Sequence, residues 1–197
     1  MSPSQTMSAA PLRVMAAGGP SPGDKCDAQG LQDGLSLEEA YRRFAPYVAA
    51  IGMRILGRGE DLDDLVQDVF VEATRGIASL SAPEAIKAWL ARITVRVAVR
   101  RLRRARLFRA MHLQLDEAPD YESLASPDST PEQRALIARV YQVLEQLAAS
   151  DRAAWVLRYV QGETLEQAAE LSACSLSTYQ RRLRRASELL DKSLPHG

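Results

Sequence analysis

Only two cysteines, Cys26 and Cys174, and two histidines, His112 and His196, occur among the 197 residues of this chain. Cysteines this far apart give neither a C-x-x-C clip nor a disulfide framework, and with no pair of ligands at zinc spacing no metal centre is expected. Aromatic residues make up just 6% of the sequence, and β-branched runs are short, which disfavours a sandwich or barrel. No stretch approaches the roughly 18 apolar residues that span a bilayer, so membrane insertion is not expected. The N-terminus lacks a basic leader, and Arg13 interrupts its only apolar run, which argues against a secretory signal. Nor is there a nucleophile–base pair or a glycine-rich phosphate loop. The chain therefore reads as a non-enzyme without cofactors, placed most simply in a reducing cytoplasm.

The formal net charge is zero, from 25 basic and 25 acidic residues, but the charges are segregated. Glu60 to Glu72 holds six acids and no base (Glu60, Asp61, Asp63, Asp64, Asp68, Glu72). Arg92 to Arg109 holds eight arginines and no acid (Arg92, Arg96, Arg100, Arg101, Arg103, Arg104, Arg106, Arg109). A second arginine cluster, Arg181, Arg182, Arg184 and Arg185, lies near the C-terminus. Segregated charge acts on partners more than on folding. Two arginine-rich helices on one chain point to two grips on a polyanion. Neutralising about 6–10 phosphates makes affinity fall by roughly 10³–10⁵ between 50 and 200 mM salt.

Residues 1–34 are rich in Ser, Pro, Gly and Ala with no helical period and read as a disordered tail. Ser36 with Glu39 forms a capping box, and Ala40, Phe44, Val48, Ile51 and Ile55 follow at helical spacing. Asp61 is expected to cap a second helix with Leu65, Val66, Val69, Phe70 and Ala73 inward, ending at Gly76. A loop to Pro83 leads into a long helix facing the core through Ile86, Trp89, Leu90, Ile93, Val97 and Leu102. Gln114 to Gln133 carries six acids, no bases and two prolines before its last turn, Pro119 and Pro127, and reads as an extended acidic linker. Thr130 with Gln133 caps a further helix, Ser150 is expected to start the next, and Thr164 with Gln167 caps a short one. Ser175 opens the last helix, with Tyr179, Leu183, Ala186 and Leu190 inward. The fold class is all-α: two small helical domains joined by an acidic flexible linker.

A short helix, a tight turn near Ala173 and Cys174, and a helix with polar residues at its start make a helix-turn-helix pattern. Its second helix presents N-terminal residues to base edges in the DNA major groove. The outward residues here are Ser177, Thr178, Gln180, Arg181, Arg184 and Arg185. Arginine can grip guanine and glutamine adenine bidentately, each worth about 1–3 kcal/mol of discrimination. A helix hairpin with a solvated basic face would look similar on this segment alone.

Two ordered blocks carry a resemblance. The run D-L-D-D-L-V-Q-D-V-F, then A-W-L-A-R-I followed by R-R-L-R-R, resembles region 2 of bacterial RNA polymerase sigma factors. The run L-E-Q-L-A-A-S-D-R-A, through G-E-T-L-E-Q-A-A-E-L, to S-T-Y-Q-R-R-L-R-R-A resembles region 4. With those regions and a linker only, the chain is similar to the extracytoplasmic-function (ECF) group of the sigma-70 family over about residues 36–192. The resemblance implies region 2 over residues 35–113, the linker over 114–130 and region 4 over 131–194.

It also implies roles. The acidic helix would dock on the clamp helices of the largest subunit of core RNA polymerase through Asp61, Asp64, Leu65, Gln67, Asp68 and Phe70. The loop Ala78, Ser79, Leu80 and Ser81, with Trp89 beneath, would capture a flipped base of the minus-ten element. Flipping costs a few kcal/mol of unstacking. Phosphate contacts from Arg92, Arg96, Arg100, Arg103 and Arg104 would offset that cost. Region 4 would read the minus-thirty-five element through Ser177, Thr178, Gln180, Arg181, Arg184 and Arg185. The expected partners are core polymerase, promoter DNA and an inhibitory anti-sigma factor.

The chain departs from the family pattern at several positions. Arg96 and Arg100 stand where asparagine and aspartate are common, which favours backbone affinity. Ala173 or its neighbour replaces a turn glycine, Ala168 a branched apolar residue, and Tyr179 a valine, so region 4 should be packed differently. Two other classes fit part of the pattern: a helix-turn-helix regulator that never docks on polymerase, and a helical protein that occupies polymerase without reading promoters.

Overall fold

The computed structural model describes residues 36–59, 61–76, 82–111 and 120–194. Its elements are α1 (Leu37–Leu56), α2 (Leu62–Ala73), α3 (Pro83–Ala110), a short 3-10 helix (Tyr121–Leu124), α4 (Pro131–Gln146), α5 (Ala149–Tyr159), α6 (Leu165–Leu171) and α7 (Leu176–Ser193). The described residues contain no strand, so the all-α expectation is met. The tail, residues 1–34, and the loop Ala78–Ser81 lie outside the described residues.

Helices α1, α2 and α3 pack on one another as a first bundle, and α4 to α7 as a second. Ser36 caps α1 reciprocally with Glu39, so two backbone donors at the helix start are satisfied at once. The stripe Ala40, Phe44, Val48, Ile51 and Ile55 is buried as its spacing requires. Gly52 on that helix lets α2 come close, since a Cβ there would lie 2.6 Å from the Leu65 side chain. Thr130 with Gln133 and Thr164 with Gln167 close the expected capping boxes of α4 and α6.

Two cap expectations fail. Asp61 makes no capping hydrogen bond to α2 and instead pairs with Arg58 at 3.2 Å. Ser150 lies inside α5, whose N-cap is Ala148 and has no side-chain cap. There the chain runs straight on from Leu147, itself buried, so packing of α5 sets the boundary.

The linker also departs from the extended expectation over its described part. Asp120 accepts the Glu122 N–H and opens the 3-10 helix, which packs on α4. Tyr121 is buried, with its ring centroid 5.4 Å from that of Tyr141. An aromatic in an acidic run supplies the apolar area that charge counting overlooks.

The two bundles touch. One contiguous buried cluster runs from Ala40 in α1 to Leu194 after α7. Helix α5 packs against both α1 and α3, and α6 against α3.

Candidate nucleic-acid and protein-docking surfaces

Helix α2 has a sharp division of faces. Leu65 and Phe70 are core residues, 0% and 4% exposed, so they position this helix and offer no free surface. Asp64 and Gln67 are exposed, and with Val71 they share one face at helical spacing. Val71 is 69% exposed, an apolar side chain that periodicity alone does not single out. Tyr41 of α1 stands beside this region, 46% exposed and edge-on to Phe70 with centroids 4.9 Å apart.

The charges that lie apart in sequence meet in the fold. Asp68 on α2 accepts from Nε and Nη2 of Arg101 on α3, at 3.2 and 2.6 Å. Glu72, one turn later, accepts from Arg96, and its second oxygen lies 3.9 Å from Arg100. The second bundle takes more of the set: Arg92 faces Glu170 at 3.5 Å, and Arg109 faces Glu145 at 3.4 Å. Arg106 donates to the Leu147 carbonyl at 3.3 Å. The eight arginines do ring the helix, but the protein's own carboxylates and carbonyls answer most of them. Arg103 and Arg104 are exposed, with the Arg104 guanidinium over the Phe108 ring, 5.2 Å from its centroid. Arg96 and Arg100 keep more than half of their side-chain surface in solvent.

Trp89 is half-buried beneath Gly76, where an added Cβ would lie 2.8 Å from the indole. The tryptophan therefore forms the floor at the point where the chain enters the loop to Ala82. The four loop positions assigned to base capture lie outside the described residues.

Helix α7 begins at the Ser175 cap, whose Oγ accepts the Thr178 N–H. Ser175 Oγ also donates to Thr178 Oγ1 at 3.0 Å, which ties the half-buried threonine to the cap. Ser177, Gln180, Arg181 and Arg184 are exposed and recur at i, i+3, i+4 and i+7. Those four form a single polar stripe. Arg185 is committed elsewhere, in a bidentate pair with the buried Asp151 of α5. Behind the stripe, Tyr179 is fully buried and donates its hydroxyl to the Ala154 carbonyl at 2.7 Å. Burial pushes that phenol well above its usual range, so it stays a neutral donor. Ala173, in the turn, has φ +48, the left-handed conformation that glycine adopts without strain.

These features match a known pair of domains in a known order. A family model for Sigma-70 region 2 matches residues 40–108, and one for Sigma-70, region 4 matches residues 137–190. The chain belongs to the sigma-70 family. This sigma factor is 27% identical over 159 residues to the RNA polymerase sigma-H factor of Pseudomonas aeruginosa, covering 77% of this chain and 82% of that protein. It is 28% identical over 159 residues to the ECF RNA polymerase sigma-E factor of Escherichia coli (strain K12), covering 77% and 83%. Among solved structures, the sigma factor RpoE of Bartonella quintana, in complex with the anti-sigma factor NepR, is similar at TM-score 0.56. That likeness, at 24% identity over 79% of this chain and 94% of that one, speaks to the fold. As an ECF-group sigma factor, the protein binds core RNA polymerase and promoter DNA and directs promoter-specific transcription initiation. Among the described residues, no helix is long and apolar enough to cross a membrane.

Tyr41, Val71, Tyr121, Tyr141 and Arg152 are the residues that sequence reasoning passed over. Arg152 left one readable signal. It sits one turn before Trp155 and Val156 on the same stripe of α5, and a cation on an apolar stripe implies a built polar contact.

Proposed function

We propose the following division of labour within this sigma factor. The α2 face formed by Asp64, Gln67 and Val71, flanked by Asp68 and Tyr41, docks on the clamp helices of the polymerase's largest subunit. Asp61, Leu65 and Phe70 hold that face in place. Arg96, Arg100, Arg103 and Arg104 hold the phosphates around the minus-ten element, and Arg92 joins them once released from Glu170. The loop Ala78–Ser81 takes the flipped base above Trp89. Ser177, Gln180, Arg181 and Arg184 read the minus-thirty-five element, while Thr178 and Arg185 keep the reading helix in register. The protein acts in the cytoplasm, has no catalytic activity of its own, and is restrained by an anti-sigma factor.

The observation that carries this reading is the exposed Asp64–Gln67–Val71 face. It combines carboxylate, amide and aliphatic surface on a helix whose opposite side is already filled by the core. Val71, 69% exposed, and Tyr41, 46% exposed, add apolar surface to the exposed polar groups of this region, the mixture that a docking face uses. A regulator acting on DNA alone leaves this surface without a role.

The test is reconstitution with core RNA polymerase on fragmented genomic DNA. Asp64→Lys is expected to abolish co-elution with core enzyme, and Arg184→Ala to lose start-site selectivity while still binding core. Wild-type protein that neither binds core enzyme nor starts transcripts at defined sites would refute the assignment.

A further inference from the structure

Helix α7 carries four outward side chains, Ser177, Gln180, Arg181 and Arg184, whose positions depend on how the helix is seated on α5. Two polar ties make that seating specific. Tyr179 donates its hydroxyl to the Ala154 carbonyl at 2.7 Å. Six residues later, Arg185 meets both oxygens of the buried Asp151, at 2.8 and 2.7 Å. At about 100° per residue, Tyr179 points about 150° from the centre of the outward stripe. Arg185 points about 90° from it in the opposite sense. The two anchors are about 9 Å apart along the axis, at about 1.5 Å per residue. Ties on opposite flanks, separated along the helix, resist both rotation and sliding.

Shape complementarity contributes less here than in a core of large side chains. Alanines make up much of what these helices bury: Ala153 and Ala154 on α5, Ala168 and Ala169 on α6, Ala186 on α7. Small side chains give shallow ridges, and shallow ridges oppose a change of register weakly. Tyr179 is the large fully buried side chain at the start of α7, and its hydroxyl fixes the depth and angle at which the ring lies. Arg182 donates to Cys174 Sγ at 3.5 Å, which ties α7 to its own turn rather than to α5.

The tolerance for reading bases is narrow. A rotation of about 10° moves an atom about 6 Å from the helix axis by about 1 Å, whereas a precise site is held to about 0.5 Å.

We propose that Tyr179 is a positioning residue for base reading: its hydroxyl bond to the Ala154 carbonyl, together with the Arg185–Asp151 pair, sets the rotation of α7 and thereby the selectivity of Gln180, Arg181 and Arg184. The inference rests on the assignment of α7 as the helix that reads the minus-thirty-five element.

The test uses the full chain assembled with core polymerase, at a temperature well below every variant's melting transition. The probes are a promoter fragment defined by start-site mapping and the same fragment with its minus-thirty-five block scrambled. The ratio of the two affinities is the readout. Tyr179→Phe keeps the ring and removes the hydroxyl. The Ala154 carbonyl lies inside α5 and retains its helical N–H, so no buried acceptor is orphaned and the variant should fold. The ratio should fall about fivefold or more, the worth of one bidentate base contact. Affinity for the scrambled fragment should hold, because no charge is altered. Asp151→Asn, which loosens the second tie, should lower the ratio as well. Val140→Ala, a cavity in the buried face of α4, should lower the melting temperature at least as far and leave the ratio unchanged. An unchanged ratio for Tyr179→Phe overturns the inference, as does an equal fall for Val140→Ala, which would make selectivity follow stability. Wild-type protein that does not distinguish the two fragments overturns the promoter-reading assignment, and this inference with it.

Discussion

Arg185 grips Asp151 with both arms of its guanidinium, Nε to Oδ2 at 2.8 Å and Nη2 to Oδ1 at 2.7 Å, and so ties α7 to α5. Arg184, its neighbour in sequence, points to solvent. The two arginines should respond differently to truncation. Arg185→Ala leaves a buried carboxylate without its partner, so the melting temperature should fall by several degrees. Arg184→Ala should change stability by less than about 0.5 kcal/mol, as surface substitutions do. It should instead lose about 1–3 kcal/mol of discrimination at one base of the minus-thirty-five element, as a bidentate base contact does. Thermal melts and competition binding with mutated elements separate the two cases.

Ala173 holds a left-handed φ of +48 in the turn before α7. An L-residue there costs about 1–2 kcal/mol, and glycine gives back part of that through its greater unfolded freedom. Ala173→Gly should therefore stabilise the protein by about 0.5–1 kcal/mol. The shift in chemical denaturation midpoint, at constant slope, measures it.

Glu163 supplies a pH signature at the contact between the bundles. Burial raises its carboxyl above the ordinary value, and Lys87 on α3 only partly opposes that. An acid whose folded-state value is raised contributes stability that is complete below about pH 4.5, its ordinary value. That contribution is lost as pH rises through the higher folded-state value. Glu163→Gln removes the penalty, so the variant should be more stable than wild type at pH 7. The difference should shrink to nothing by about pH 4, where both forms are neutral. Melting curves across that range check the sign.

The helices and their buried faces were legible because capping boxes and apolar periodicity act within a few residues. Ser36 with Glu39, Thr130 with Gln133 and Thr164 with Gln167 all close as read. What escaped depends on contacts far apart in the chain. Asp61 looks like a cap until Arg58 takes it. Leu65 and Phe70 belong to the docking pattern by position, yet the core claims them. The arginine run reads as a free polycation until Asp68, Glu72, Glu145 and Glu170 are folded against it. Tyr141 and Arg152 look like ordinary helix residues, because their partners are backbone carbonyls about 90 residues upstream, which have no signature in sequence.

Charge and apolar surface on α2 make separable demands on docking. Asp64→Lys reverses an exposed charge and should reduce core polymerase affinity about tenfold or more, with a marked salt dependence of the association rate. Val71→Ser removes exposed aliphatic surface and should weaken binding with little change in that salt dependence. Both should leave stability within about 0.5 kcal/mol, since neither side chain is buried. Core polymerase affinity unchanged by Val71→Ser would show that Val71 lies outside the docked face.

Glu72 is the strongest internal competitor for the phosphates that α3 must hold. It pairs with Arg96 and lies 3.9 Å from Arg100 through its second oxygen, which has no hydrogen-bond partner. Both arginines retain most of their exposure and can reach a phosphate only by leaving this carboxylate or sharing it. Glu72→Gln keeps the shape and removes the charge, so Arg96 and Arg100 are released together. Binding to duplex DNA should tighten, and the slope of log affinity against log salt should steepen by up to about 2, as each further phosphate contact adds about 0.9. Fluorescence anisotropy between 50 and 200 mM salt reads both quantities at once. An unchanged slope would mean that releasing Arg96 and Arg100 from Glu72 adds no phosphate contact.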